Sequence, residues 1–472
     1  MRRTILPLLL LSVGCQSLDG DTPSTVERAP PMVQRAPLAS APSQPASGVV
    51  PAAANFPAQA PVERLDLPVI WDLALVSNPA LREAAADVEA ARGRLMQSGL
   101  YPNPRFLFTN DTIGSDIARP GNSAFEFTQE IVTAGKRRLD VAVARRETDA
   151  AVLGATVRKF DALTRIRRLY FDYLALWFLH REYDEIAASL DRGIEVTRQQ
   201  VEVAKTRPKT DMIRLEALRE EAKINRDRTR DTIRGVWRQL AAEVGLAELP
   251  SANEVGTLPP APPAWEDAAI LNRVLAAHSA IRQAEVEVDR ARLAIDRAQA
   301  GAIPNVIVGG GFNLDRTDQT SGAVVVAETA IPVWNRQQGA VYEAKAKLAF
   351  AQASVRSVES RLSKEAAEAI ARYRAATRQV ERLEAEVLPR LQESVDLTRK
   401  AYQAGSAQVT FADVLTTEQN LLTARVTLAE ARRTVWQAVA DLQGLMQLDV
   451  GNEWFGSFPG GPKQPAQEPK RP

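Results

Sequence analysis

The sequence predicts a mainly α-helical chain built from two internal repeats, each interrupted near its start by a pair of strands. Three observations carry that prediction. Leu81-Arg82, Ala84, Val88, Ala91 and Arg92 match Ile281-Arg282, Ala284, Val288, Ala291 and Arg292 at an offset of 200. Pro102-Asn103 matches Pro304-Asn305 at 202, and Ile131 matches Ile331 at 200, so order and spacing are shared and mark a duplication. Residues 136–205 contain no proline, and a helix of that length is about 105 Å long. In the second repeat, apolar residues stand at 348, 351, 355, 358, 362, 366, 369, 373, 376, 380, 383, 387 and 391. The mean step is about 3.6, the spacing of one helix face.

Proline placement sets the boundaries. Ten of the 29 prolines fall in residues 1–66, five in 250–263 and five in 451–472. Arg2-Arg3, the short apolar run Ile5–Leu11 and Cys15 resemble a bacterial lipoprotein signal over 1–15. The run is too short to cross a bilayer. Ser12 stands at −3 where Leu is usual, with Leu11 at −4. The resemblance implies lipid on Cys15, the only cysteine, and Gln16 after it implies export to the outer membrane. An ordinary secretory signal with an incidental cysteine is the alternative. Residues 16–66 are Pro-, Ala- and Ser-rich and read as a flexible tether, 451–472 as a similar tail. Repeat 1 occupies 67–249, a linker 250–263, and repeat 2 264–450.

Each repeat has one grammar: helix, strand, strand, very long helix, helix. In repeat 1 a helix over 69–99 is stopped by Gly99 and Pro102-Asn103-Pro104. Extended segments at 105–114 and 123–133 flank a turn at 118–122. The long helix ends near Pro208, and 211–246 is helical again. In repeat 2 the extended segments are 305–314 and 323–327. Pro389 should kink the long helix. Gly405-Ser406 is the next turn, and the last helix spans 409–447. The first and last helices of repeat 1, stacked end to end, span about 100 Å, close to the long helix beside them. Such a set is a wall element.

Phe125, Phe127 and Ile131 alternate with Ala124, Glu126, Thr128 and Glu130, which suits a strand with lipid on one face and water on the other. Gly309-Gly310-Gly311 blurs the alternation in 305–314, and 323–327 hardly shows it. Pattern alone leaves membrane strands and soluble hairpins as equal readings. The apolar run Leu169–Leu179 has Arg168 and Arg181 outside it and reads as buried mid-helix packing.

Composition excludes several classes. Lys+Arg is 59 and Asp+Glu 58, a net charge of +1, which does not fit a nucleic-acid binder. His180 and His278 are far apart and form no metal-ligand pair. There is no Walker A loop, no paired-cysteine motif and no convincing Ser/His/Asp set. No helix start follows Gly309–Gly311 to bind phosphate. The expectation is a non-enzyme with no cofactor and no metal site.

Asn78-Pro-Ala-Leu81, Gly99-Leu-Tyr-Pro-Asn-Pro104, Ile331-Pro-Val-Trp-Asn-Arg-Gln-Gln-Gly339, Tyr402-Gln-Ala-Gly405 and Phe411-Ala-Asp-Val-Leu-Thr-Thr-Glu-Gln-Asn420 resemble the outer membrane efflux protein family, the TolC-like channels. The resemblance covers about 66–450. Its Pro332–Gly339 stretch looks most like the heavy-metal cation-efflux branch. The resemblance implies a homotrimer in which each copy adds four strands to a 12-stranded outer-membrane barrel and four helical columns to a periplasmic tunnel. It also implies a periplasmic adaptor (membrane fusion) protein and an inner-membrane pump as partners, with Phe125 and Phe127 facing outer-membrane lipid. The turns with Pro208, Gly405 and Ser406 would contact the adaptor. Asp413 matches a family aspartate near the periplasmic constriction, and Tyr402 a tyrosine of the gate contacts. Thr416 stands where some members carry a second acid, and Ala407 where a basic partner is frequent. A helix cap is the alternative role for Asp413. A periplasmic adaptor would need lipoyl-like segments around one hairpin, and a coiled-coil scaffold would need neither the repeat nor the alternating strand.

Overall fold

The computed structural model describes residues 62–111, 122–203, 208–250, 252–255, 258–259, 261–315, 319–404 and 408–449. Cys15, Gly405, Ser406, Ala407 and the signal, tail and hairpin-tip segments lie outside them. All described residues belong to one unit, Gln59–Pro472.

The chain runs β1 (Val62–Leu65), α1 (Leu67–Ser77), α2 (Pro79–Ser98), β2 (Arg105–Asp111), β3 (Asn122–Ile131), α3 (Lys136–Arg198) and α4 (Lys209–Val244). The second repeat follows as β4 (Ala252–Val255), α5 (Asp267–Ala277), α6 (Ser279–Ala300), β5 (Val306–Asp315), β6 (Thr320–Thr329), α7 (Gln338–Arg382), α8 (Leu388–Gln403) and α9 (Phe411–Leu445).

The expected single helix over 69–99 is two helices. Asn78 breaks it: its backbone is extended, and Oδ1 accepts from the Leu81 amide as an N-cap. Pro79, next in line, has no N–H to continue the helix. His278 makes the same break in repeat 2, its Nδ1 accepting from the Ala280 amide. Each break seats on the end of a returning helix. Ser77 Oγ donates to the Val244 carbonyl and Asn78 Nδ2 to Glu243, while the Ser279 amide and hydroxyl donate to Gln447 Oε1.

The long helix of repeat 2 takes a wide π turn at Leu383–Val387, just ahead of Pro389 in the first turn of α8. A proline ring clashes with the carbonyl four residues back, and the wide turn makes room for it. The tether and linker also differ from expectation. Their residues 62–65 and 252–255 pair as a small parallel sheet, with Leu65 fully buried.

The other sheet is antiparallel, in the order β2-β3-β5-β6. Below it the helices repeat this order: α2 packs on α3, α3 on α6 and α6 on α7. Further on, α4 packs on α3, α3 on α9, and α9 on α7 and α8. The main core lies where the helix pairs meet. Phe171 of the apolar mid-helix run packs on Trp436 at 5.1 Å between ring centres, with Leu163, Ile166, Leu174, Leu240 and Leu442 around them. Gly444 permits close packing of α9 on α3, because a Cβ there would strike the Thr164 hydroxyl.

Candidate functional site

Two regions hold the candidate residues: the four-stranded sheet and the turns at the far ends of the long helices. The register of the sheet settles its faces. Phe106 pairs with Phe127 and Phe108 with Phe125, and Phe125 pairs in turn with Phe312. Phe312 pairs with Ala323, and Gly310 with Val325. One face therefore carries Phe106, Phe108, Phe125, Phe127, Phe312, Leu314 and Val325. The other carries Arg105, Thr109, Glu126, Thr128, Glu130, Asn313 and Glu328, and with them Leu107, Val324 and Val326. The blurred alternation of β5 and β6 becomes a sheet with one mainly apolar and one mainly polar face. Phe127 is 61 % exposed, Phe312 65 % and Val325 88 %. Removing each such side chain from water is worth about 1.5–3 kcal/mol, so this face calls for an apolar surrounding.

Gly309 and Gly311 sit on the polar face because the backbone of β3 comes too close for a side chain. A Cβ on Gly309 would strike the Phe127 carbonyl, and one on Gly311 the Phe125 carbonyl. A polar junction fixes the sheet to the helices. Lys136 Nζ donates to Asn305 Oδ1 at 2.7 Å, and Asn305 Nδ2 to Glu130 Oε1 at 2.7 Å. Arg137 donates to the Gly99 carbonyl and stacks on Tyr101 at 3.8 Å. No helix among the described residues is long and apolar enough to cross a membrane.

At the other end, Asp413 lies in the first turn of α9 and completes a capping box. The Thr410 amide and hydroxyl donate to Asp413 Oδ2 at 2.8 and 2.7 Å, and the Asp413 amide donates back to Thr410 Oγ1 at 3.3 Å. The Thr410 hydroxyl and then its amide hold the exposed carboxyl below its ordinary range. Capping and a gate role are compatible, since Oδ1 is not used by the box. Tyr402 and Phe411 face each other across the turn, ring centres 6.2 Å apart. The Thr416 hydroxyl donates to the Ala412 carbonyl at 2.8 Å. Pro208 is the extended N-cap residue of α4.

Sequence reasoning missed Asp211. It is the repeat-1 counterpart of Asp413 at an offset of 202, in the first turn of α4, and is buried. The offset that relates Pro102 to Pro304 would have found it. Among the described residues no cluster of His, Cys, Asp and Glu is arranged to hold a metal ion.

A two-faced sheet whose edge strands β2 and β6 pair with no further strand among the described residues, set on a row of helices up to 63 residues long, has the geometry of a wall segment. Known proteins agree with that class. Residues 270–446 match the model of the outer membrane efflux protein family. The chain is 22 % identical over 385 residues to the cobalt-zinc-cadmium resistance protein CzcC of Cupriavidus metallidurans, covering 81 % of this chain and 90 % of that protein. Its fold is similar to crystal structures of CusC (TM-score 0.70, 17 % identity, 87 % of this chain and 99 % of that one). It is also similar to the open state of the Neisseria gonorrhoeae MtrE outer membrane channel (TM-score 0.66, 18 % identity, 80 % and 88 %). Residues 270–446 therefore carry the domain of the outer membrane efflux protein family, the TolC-like channels, a family of channels and not of enzymes, and the fold around them is similar to that of solved outer membrane channels.

Proposed function

We propose that three copies of this chain form the outer-membrane exit duct of a tripartite efflux system. The observation that carries the proposal is the sheet with one mainly apolar face and two edge strands, β2 and β6, that pair with no further strand among the described residues. Open edges in lipid would leave backbone groups unsatisfied, so the sheet must close on copies of itself. Three four-stranded sheets make a 12-stranded barrel around the polar face, with Phe125 and Phe127 toward lipid. The helical rows continue it as a periplasmic tunnel about 100 Å long. Transport energy comes from an inner-membrane pump, joined through a periplasmic adaptor that meets the turns at Pro208 and at Gly405-Ser406. Electron microscopy of detergent particles should show a threefold tube; a compact single copy overturns the reading.

The cargo we propose is heavy-metal cations, supported by the resemblance at 332–339 and by the CzcC relative. Loss of the gene should sensitise cells to cobalt, zinc or cadmium; unchanged tolerance to all three rejects the cargo.

Asp413, Tyr402 and Thr416 are the proposed gate. Three Asp413 carboxylates around one axis favour a bound cation. Asp413→Ala should raise resting conductance in planar bilayers and weaken block by divalent cations. Asp413→Asn keeps the size and loses only the cation effect. The cap itself is present above the ordinary carboxylate range and is lost as pH falls through the depressed pKa. Protonation also removes the charge of the three-carboxylate ring, so cation block should fail at acid pH in the wild type and be absent at every pH in Asp413→Asn. Unchanged conductance and block in both variants leave Asp413 as a cap alone.

Cys15 is the proposed lipid anchor. A fatty-acid label should mark the wild type and not Cys15→Ser, and equal labelling rejects the assignment. Cys15→Ser should keep much of its function, because the barrel also holds the chain in the membrane.

A further inference from the structure

The two repeats build the same joint from different chemistry. In repeat 1 the break between α1 and α2 is capped by Asn78, and the helix seated on it, α4, ends at Gly245 with a φ of 91°. In repeat 2 the counterpart of Asn78 at an offset of 200 is His278, and that of Gly245 at 202 is Gln447. Gln447 has a φ of 51°, in the left-handed region that favours glycine, and such a residue persists only where its surroundings hold it. Ser279, next to the cap, holds it: its amide and hydroxyl donate to Gln447 Oε1 at 3.0 and 2.8 Å. Arg273 Nε of α5 adds a bond to the Met446 carbonyl at 3.2 Å.

The cap of repeat 2 is sensitive to protons, whereas an asparagine does not titrate. His278 is buried, and its Nδ1 accepts from the Ala280 amide at 3.1 Å, which only the neutral ring can do. An imidazolium has no acceptor and would place a positive charge at the N-terminus of α6. The ring borders a cavity of about 500 Å³ between α3, α7 and α9, and the charged groups there are largely committed to one another. On α7, Arg361 bonds Glu365 at 3.1 Å and Lys364 lies 3.9 Å from Glu368. Asp441 of α9 is shared by Arg168 of α3 at 3.4 Å and Arg372 of α7 at 3.2 Å. On α3, Arg165 bonds Glu243 at 2.7 Å. Burial and then Arg361 hold the His278 pKa below its ordinary value, against Glu365. Burial raises those of Asp161 on α3 and Asp441. Falling pH therefore favours the folded joint through these two carboxyls and opposes it through His278.

We propose that this joint is a proton-operated latch: protonation of His278 undoes the α6 cap, frees Gln447 from Ser279 and loosens the end of α9, while the α1–α2 joint stays shut. The cap is complete above the ordinary histidine pKa and is lost as pH falls from there through the lowered one. The latch lies within one copy of the chain and needs no ring.

Amide hydrogen exchange of the full chain in detergent compares the two joints inside one molecule. Protection at 279–285 and 442–448, divided by that at 79–85 and 240–246, cancels the intrinsic pH dependence of exchange. Between about pH 7.5 and about pH 5.5 the wild-type ratio should fall several-fold, up to about tenfold, the limit set by one pH unit below the ordinary histidine pKa. His278→Asn restores the repeat-1 residue and should hold the ratio constant. His278→Ala removes the cap and should give low protection at both pH values. His180→Asn changes the other histidine of the chain and should behave as the wild type. A wild-type ratio that does not move with pH overturns the latch, as does an equal fall in His278→Asn. So does wild-type protection in His278→Ala at the higher pH. The wild-type comparison decides alone if the variants assemble poorly.

Discussion

Gly311→Val should remove the protein from the outer membrane. Residue 311 lies opposite Glu126 in the β3–β5 ladder, and any Cβ there would run into the carbonyl oxygen of Phe125. The obstacle is backbone held by its own ladder and cannot swing aside as a side chain would. Overpacking costs about 1–3 kcal/mol even where neighbours can shift. Here relief would need the central strand pair to separate, and that pair joins the two repeats. The expected result is accumulation of unassembled chain and at least a tenfold fall in the outer-membrane fraction, measured by fractionation and immunoblotting. Gly322→Val is the control. It places the same side chain on the same sheet, but a Cβ at Gly322 would meet nothing within 4 Å. Equal loss from both variants would show that the cause is valine in this sheet and not the close approach at Gly311.

Asp172→Ala should give the largest loss of stability in the helical region. Asp172 is buried on α3 and accepts from Arg433 Nε, from Arg433 Nη2 at 2.9 Å and from Gln437 Nε2 at 2.9 Å, both residues on α9. The carboxylate raises the pKa of Arg433 through these hydrogen bonds. Breaking a buried pair by deleting one partner costs about 3–5 kcal/mol, because the other charge is left behind. Arg433 keeps about a third of its side chain in solvent, so a loss of about 2–4 kcal/mol is expected. Thermal unfolding followed by helical circular dichroism should show a clear drop in midpoint. Replacing both partners, Asp172→Leu with Arg433→Met, should recover most of it, since apolar packing substitutes well for a buried ion pair. A midpoint unchanged in Asp172→Ala would mean that the α3–α9 contact is held by Phe171 and Trp436 alone.

Much of the architecture is legible in the sequence because helices and strands of this length announce themselves locally. The apolar period in 348–391 reflects the face of α7 and α8 that packs inward, with Ala351, Leu362, Ala366, Ala369 and Tyr373 all buried. The break at Asn78 was there to be read, as an N-cap residue followed by proline, and was masked by strong helical periodicity on both sides. His278 offered no such signal, since histidine caps a helix only when its ring nitrogen can turn back on the chain. The gate candidates were reached through resemblance and not through any chemical pattern. Asp413 by itself is one acid at a helix start, and the capping box shows why an aspartate suits that place locally.

What the sequence by itself determined is the set of pieces: two repeats, their long helices, their strand pairs and the turns between them. These are properties of short segments, set by period, proline and glycine. What only the tertiary structure decided is which side each piece turns to its neighbours. Val324, Val325 and Val326 are three identical residues in a row, and no periodicity can sort them. Pairing with Gly311, Gly310 and Gly309 sorts them at once, Val325 to the apolar face and the other two to the polar one. The same pairing explains the glycines that blurred β5, because the strand that excludes their side chains lies about 180 residues earlier in the chain. A strand's faces are defined by register, register is a long-range contact, and a long-range contact leaves no mark on the local sequence that makes it.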